Sequence, residues 1–335
     1  MQRLILVCAF VFTSSSFADE ALWATFPGKE GPGKGKKVVL VSGDEEYRSE
    51  EVLTQLAKIL SQHHGFDCVV LYAIDPKTNT INPNVTNNIP GLSQLEKADL
   101  MILFTRFRRL PDDQLKYFDD YLKTGKPIIG LRTATHAFNT PSKEFANFHW
   151  QSKAKGWEGG FGKAILGETW VAHHGNHGRE ATKGVLVAEQ KDHPILRGVK
   201  GEEIFGPTDV YRVNLPLPGD STPLVLGQVL TGMKITDPAV DGPKNSPMMP
   251  IAWTKSYEVV PGKKGKVFTT TMGASEDLLS VGLRRLLVNA TFWSLGMDET
   301  IKPDLNVSIV GEFKATPFGN NKFVPNVKPA DLMIK

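Results

Sequence analysis

Short apolar runs alternate along this chain with stretches whose apolar residues recur every three or four positions. Val38-Val39-Leu40-Val41 follows a Gly-, Pro- and Lys-rich lead and has the form of a strand buried on both faces. Ser49 then opens a helical pattern with Val52, Leu53, Leu56, Ile59 and Leu60 on one side, the Ser as its cap and Gly65 as its stop. Cys68 to Ala73 reads as a second strand and Asp99 to Phe104 as a third. Pro111 to Lys123 reads as a helix closed by Gly125, and Lys126 to Leu131 as a fourth strand. This βαβαβ alternation predicts an α/β protein with a flavodoxin-like parallel sheet, helices on both faces and right-handed crossovers.

From Phe138 to Asn176 the chain is dense in Gly, Trp and His, which predicts an irregular insertion folded over the sheet edge. Strands resume around Gly184 to Ala188, Pro223 to Leu230, Met249 to Thr254 and Lys266 to Met272. A last helix, Val281 to Leu295, carries Leu283, Leu286, Leu287, Ala290 and Trp293 at helical spacing and ends at Gly296. The Pro-rich stretch from Lys302 to Lys335 is expected along the surface.

The N-terminus adds a different signal. Arg3, the apolar run Leu4 to Phe12 and Ser16-Phe17-Ala18 fit a secretory signal peptide cleaved near Ala18, the run being about half the ~20 residues a membrane span needs. The expected division is 1–18 signal peptide, 19–36 linker, 37–299 main domain and 300–335 C-terminal extension, in a periplasmic or secreted protein. No later stretch is long and apolar enough to span a bilayer, so no membrane is expected as a partner after cleavage. Cys8 leaves with the signal and Cys68 stands alone, a small buried hydrophobe, so the fold relies on its core. At 335 residues and 41% hydrophobic content that core can be large. The net charge of +3 becomes +2 without Arg3, and the short lysine run at 34–37 sits among glycines, so nucleic acid is not expected as a partner.

In parallel α/β sheets ligands sit outside the carboxyl ends of the strands, and three such ends are unusually polar here. Gly43-Asp44-Glu45-Glu46-Tyr47-Arg48 follows the first strand, Thr105-Arg106-Phe107-Arg108-Arg109 the third, and Arg132-Thr133-Ala134-Thr135-His136 the fourth. Glu45, Glu46 and Tyr47 are candidates for holding hydroxyls. Arg106, Arg108 and Arg132 each offer a planar fork of donors for a carboxylate or polarised carbonyl, or could pair with Glu45 or Glu46. In the insertion, Trp170-Val171-Ala172-His173-His174-Gly175-Asn176-His177-Gly178 packs three imidazoles into five residues. His173 and His177 have the i, i+4 spacing that can share a metal on a helix, yet the Glu of the zincin motif is missing and the two glycines oppose a helix. A divalent metal, acid/base histidines and a surface role all remain open for this cluster. No dinucleotide fingerprint follows the first strand.

The order of elements, Gly43-Asp44-Glu45-Glu46, the Gly130-Leu131-Arg132 turn with His136, Asp192-His193-Pro194-Ile195 and Pro250-Ile251-Ala252-Trp253-Thr254 resemble the ThuA-like (trehalose utilisation) family over about Lys37 to Gly296. The resemblance implies the fold of class I glutamine amidotransferases and a link to trehalose and 3-keto-sugar use. Glutaminases of that fold carry Cys at the turn where this chain has Arg132, which cannot act as a nucleophile. The expectation is therefore an exported protein with a small-molecule carbohydrate partner. As an enzyme it would use His136, His173 and His174 for acid/base work, Arg106 and Arg132 for charge stabilisation, and Glu45, Glu46, Tyr47, Arg108 and Trp170 for substrate. The alternative is a carbohydrate- or anion-binding protein without catalysis.

Overall fold

The computed structural model describes residues 21–334; the expected signal peptide lies outside the described residues. In chain order the strands are β1 (Trp23–Phe26), β2 (Lys37–Gly43), β3 (Asp67–Leu71), β4 (Ile74–Asp75), β5 (Thr80–Ile81), β6 (Leu100–Thr105) and β7 (Ile128–Leu131). Then come β8 (Ala172–His173), β9 (Thr182–Leu186), β10 (Phe205–Gly206), β11 (Tyr211–Arg212), β12 (Thr222–Val229), β13 (Met249–Val260) and β14 (Lys263–Thr270). The α-helices are α1 (Ser49–His64), α2 (Asp112–Lys123) and α3 (Val281–Ser294).

Ten strands form one sheet in the order β1-β3-β2-β6-β7-β14-β13-β12-β9-β10. The block β3-β2-β6-β7-β14 is parallel, as the βαβ alternation predicts. From β14 onward the sheet continues antiparallel through β13, β12, β9 and β10. The stretch expected as a linker contributes the antiparallel edge strand β1, paired to β3.

Alternation along the central strands explains the two faces. Val38, Leu40, Ile102 and Phe104 point to one side, into a core with Val52 and Leu56 of α1 and Leu283 and Leu287 of α3. Val39, Val41, Met101 and Leu103 point to the other, into a core with Leu115, Phe118 and Leu122 of α2. Each of these side chains is fully or almost fully buried, worth about 1.5–3 kcal/mol apiece. Among the described residues no helix is long and apolar enough to cross a membrane.

Three local expectations are corrected. Ser49 does not cap α1: Arg48 holds that position in a left-handed conformation, and the Ser49 hydroxyl instead accepts the Asp44 N–H at 3.0 Å and bonds Ser42 at 2.8 Å. The insertion covers the strand ends only in part, its Trp170 and His173 lining the cleft there. Its 162–166 turn packs on the face of β7, β13 and β14, where the Leu166 carbonyl accepts from the Trp253 indole (2.8 Å) and the Thr269 hydroxyl (2.9 Å). Gly162 makes that docking possible, since a Cβ there would stand 1.8 Å from the Thr135 carbonyl oxygen. The C-terminal extension folds back toward the strand ends instead of only following the surface: Gly319 N–H bonds the Glu46 carbonyl at 2.6 Å.

Candidate functional site

The polar turns after β2, β6 and β7 meet at one end of the sheet. Asp44 ties the first to the third: Oδ1 accepts the N–H groups of Glu46 (2.7 Å) and Tyr47 (2.5 Å), and Oδ2 accepts the Thr133 hydroxyl at 2.5 Å. Burial pushes the Asp44 carboxyl up, with the Glu45 charge adding to the rise. Among the described residues six non-glycine residues have positive φ; three are Asn, which tolerates that region, and the other three are Arg48, Phe107 and Arg132. All three follow the strand ends that surround the cleft, and strained backbone of this kind concentrates at functional sites.

The fourth wall comes from the short ribbon of β8 and β11, in which Tyr211 pairs with His173. That register sets Asp209, two residues earlier, under the histidine loop. The buried Asp209 carboxylate accepts from His173 Nδ1 (2.8 Å), His177 Nδ1 (3.0 Å) and Arg132 (3.1 Å). Burial alone would raise its pKa, but the two imidazole bonds and the Arg132 charge hold it well below the usual carboxylate range. On its far edge His177 Nε2 lies 3.3 Å from Glu46. Hydrogen bonds to Asp209 and Glu46 raise His177 to about 9 against the opposing effect of burial. Glu46, which burial would push up, is held below its ordinary value by the His177 bond and the Arg106 charge.

The candidate residues divide into those that reach the cleft and those that do not. Glu46, Tyr47, Arg106, Phe107, His136, Trp170, His173 and Tyr211 line a small cavity of about 50 Å³. His136 is buried between Phe107 and Trp170, ring centroids 4.8 and 5.8 Å away, and its Nδ1 lies 3.1 Å from the Thr135 hydroxyl. Burial, seconded by the Arg106 and Arg132 charges, holds its pKa well below the usual imidazole value, so it is neutral at pH 7. Burial likewise pushes the Tyr47 phenol up to about 12.

Arg132 does not open into the cleft as a charge-stabilising group would. Its buried guanidinium is stacked between the rings of Tyr47 (4.2 Å) and Tyr211 (4.1 Å) and bonded to Asp209 and to the Thr271 carbonyl (2.7 Å). Arg108 is likewise withdrawn from substrate binding: it is buried, paired with Glu45, and donates to the Pro83 carbonyl at 2.8 Å. Glu45 is spent on Arg106 and Arg108 and does not line the cleft. His174 turns aside to the Lys244 carbonyl at 2.8 Å and leaves the acid/base set.

His173 and His177 do come together, and Asp209 joins them with donor atoms all within 4.8 Å. The chain reaches this arrangement through an open loop and a strand pair, not through the helix that i, i+4 spacing would use. Two imidazoles and one carboxylate are a fitting donor set for a first-row divalent ion. Asp209, Tyr211 and Phe318, whose ring lies 5.1 Å from His177, carry no motif in the sequence.

The protonation of His177 has a readable consequence. Its imidazole titrates near 6.5 when unfolded and at about 9 when folded. Its contribution to stability is therefore complete below about pH 6.5 and is lost as pH rises through about 9. Thermal melts of the wild type should fall across that window, and His177→Gln should flatten the slope there; equal slopes would contradict the hydrogen-bonded arrangement.

An α/β chain with its polar residues gathered at the strand ends of a flavodoxin-like sheet defines the class. Residues 37–294 match the family model described as ThuA, trehalose utilisation, and the chain belongs to that family. Among solved structures it is similar to a ThuA-like protein from Bacteroides uniformis ATCC 8492, with 16% identity, 84% of this chain and 100% of that one covered, and a TM-score of 0.47. A ThuA-like protein from Parabacteroides merdae ATCC 43184 shows 17% identity, 86% and 98% coverage and a TM-score of 0.46. No curated protein matches the chain.

Proposed function

We propose that this chain is an exported, periplasmic or secreted enzyme that moves protons on a sugar or 3-keto-sugar beside its carbonyl, in an isomerisation, elimination or hydrolysis. The observation that carries this reading is the Asp209 carboxylate bonded to Nδ1 of His173. It holds the proton on Nδ1 and leaves the Nε2 lone pair of a cleft-lining imidazole free as a base. Arg106, at the cleft wall, is placed to meet the oxyanion that forms when a proton leaves the carbon next to a carbonyl. His136 is neutral and lines the same cleft, its Nδ1 3.1 Å from the Thr135 hydroxyl.

The surroundings suit an uncharged polyol. Arg106, Arg108, Arg132 and the His177 imidazolium are nearly balanced by Glu45, Glu46 and Asp209, which leaves no strong field for a phosphate. Trp170 and Phe107 supply aromatic faces for the C–H side of a sugar ring. The family's trehalose-utilisation description points to the same substrate class.

A second reading is favoured by the proximity of His173, His177 and Asp209. These three would hold a divalent metal, which when bound would act as a Lewis acid on the sugar carbonyl. One experiment separates the readings. Purified protein is incubated in D₂O with trehalose and 3-keto-glucosides, with NMR following deuterium entry beside the carbonyl and elemental analysis reporting metal. Proton abstraction predicts exchange in the wild type and a loss of about 10²–10⁴-fold in His173→Gln. Stoichiometric metal lost in His173→Ala/His177→Ala would instead support the metal site. A sugar bound and returned without exchange would overturn both and leave a binding protein.

A further inference from the structure

We propose that the C-terminal segment 311–321 is a strap that completes the site, with Phe318 as the positioning residue that holds the His177 ring between Asp209 and Glu46. The segment lies beyond the residues of the family match, which ends at 294.

His177 needs such support. It stands in a loop without regular structure, followed by Gly178 at φ +70°, and its side chain is about one-third exposed. Its two nitrogens are held at their edges, by Asp209 on one side and Glu46 on the other. Edge contacts alone leave a ring on a glycine-rich loop free to swing out. Its ring is packed by His173, at 4.7 Å between centroids and tilted 43°, by Phe318, at 5.1 Å and tilted 59°, and by Tyr47 at 6.2 Å in a T-shaped contact. Phe318 also stacks on Tyr47 at 5.6 Å, so it leans on the ring that clamps Arg132.

The strap is pinned on both sides of Phe318. Thr316 gives its hydroxyl (2.6 Å) and its N–H (3.0 Å) to the Glu51 carboxylate. Gly319 donates to the Glu46 carbonyl at 2.6 Å, and its own carbonyl accepts from Arg48 at 3.1 Å. Gly319 has φ +135°, a conformation that L side chains rarely adopt. The strap thus grips Glu46 by its backbone and covers His177 by its ring. Both partners of the Glu46–His177 pair are set by one segment.

The inference concerns the geometry of the free protein and stands apart from the reaction proposed above, so its test needs no substrate. In ¹⁵N-labelled protein the ring N–H signals of His177, assigned by their loss in His177→Gln, report whether the imidazole is held against its carboxylates. In the wild type they should be protected from exchange with water. Phe318→Ala should speed that exchange about tenfold or more by local opening, with the amide signals of β2, β6 and β7 unchanged. Phe318→Leu, apolar and of similar reach, should restore protection, which a merely structural role elsewhere would not produce. Thr316→Val, which loosens the strap without touching the ring, should act in the direction of Phe318→Ala and carries the test should that variant fail to fold. His177 ring protons exchanging at the wild-type rate in Phe318→Ala, or in Thr316→Val where that substitution stands in, would overturn the proposal.

Discussion

Replacing Asp209 by Asn should reduce turnover by about 10⁴-fold, the scale on which a hydrolase triad suffers when its carboxylate becomes an amide. Asp209 accepts from three donors, His173 Nδ1, His177 Nδ1 and Arg132, and an amide of the same shape has one oxygen to offer in place of two. If the oxygen faces Arg132 and His177, the amide N–H₂ faces His173. The imidazole must then accept through Nδ1 and carry its proton on Nε2, which is the nitrogen proposed as the base. If the amide is turned the other way, two cationic donors confront an N–H₂ group inside the protein. Both outcomes remove the base or the ion pair without altering the cleft wall, since Asp209 itself does not line it. The loss should therefore fall on kcat with KM little changed. The same variant should also flatten the decline of stability between pH 6.5 and 9, because Asp209 provides the largest of the effects that raise His177. A variant of wild-type kcat would show that His173 is not the base.

The parallel half of this fold is written locally. Val38 to Val41, with no polar break, can only be a strand covered on both sides, and Ser49 to Gly65 has one apolar stripe and a left-handed glycine stop. The antiparallel half is harder to see because strand direction depends on the connections. One signal for it is present: Pro261-Gly262, a turn dipeptide between two β-rich runs, joins β13 to β14 as a hairpin with Val260 opposite Lys263.

The site divides in a similar way. That the turns after β2, β6 and β7 converge follows from the architecture, and Glu46, Arg106 and His136 do meet. What residue type and position cannot reveal is how many donors are already used. Arg108 and Arg132 carry the same guanidinium as Arg106, which lines the cleft while paired with Glu45 and Glu46, yet both are buried and taken up by carboxylates, carbonyls and rings. Asp209 is a lone acid between Thr208 and Val210, and its role arises only when the pairing of β11 with β8 brings it to His173 from across 36 residues. Phe318 sits in a Pro-rich tail with no periodicity, and the long-range bonds from Thr316 to Glu51 and from Gly319 to Glu46 bring it to His177.

Arg132→Met should lower the melting temperature by roughly 10 °C. Breaking one side of a buried ion pair costs about 3–5 kcal/mol, and each kcal/mol shifts Tm by about 2–4 °C in a domain of this size. Met fills much of the same space between Tyr47 and Tyr211, so packing is largely retained and the lost charge dominates. What remains is a buried carboxylate with only its two imidazoles, and a Thr271 carbonyl without its 2.7 Å donor. Arg132→Lys separates charge from shape. Its ammonium is a point charge that cannot hold the Asp209 carboxylate and the Thr271 carbonyl while lying flat between two rings, so it should recover only part of the loss. The backbone adds nothing to this comparison, because Met and Lys both bear the same cost of φ +41° at position 132. Thermal denaturation followed by circular dichroism at pH 7 measures the three proteins on one scale. Equal melting temperatures in wild type and Arg132→Met would mean that the two tyrosines hold this end of the sheet unaided. The ion pair would then serve only to set the charge on Asp209, and the effect of the substitution should reappear in the titration of His177.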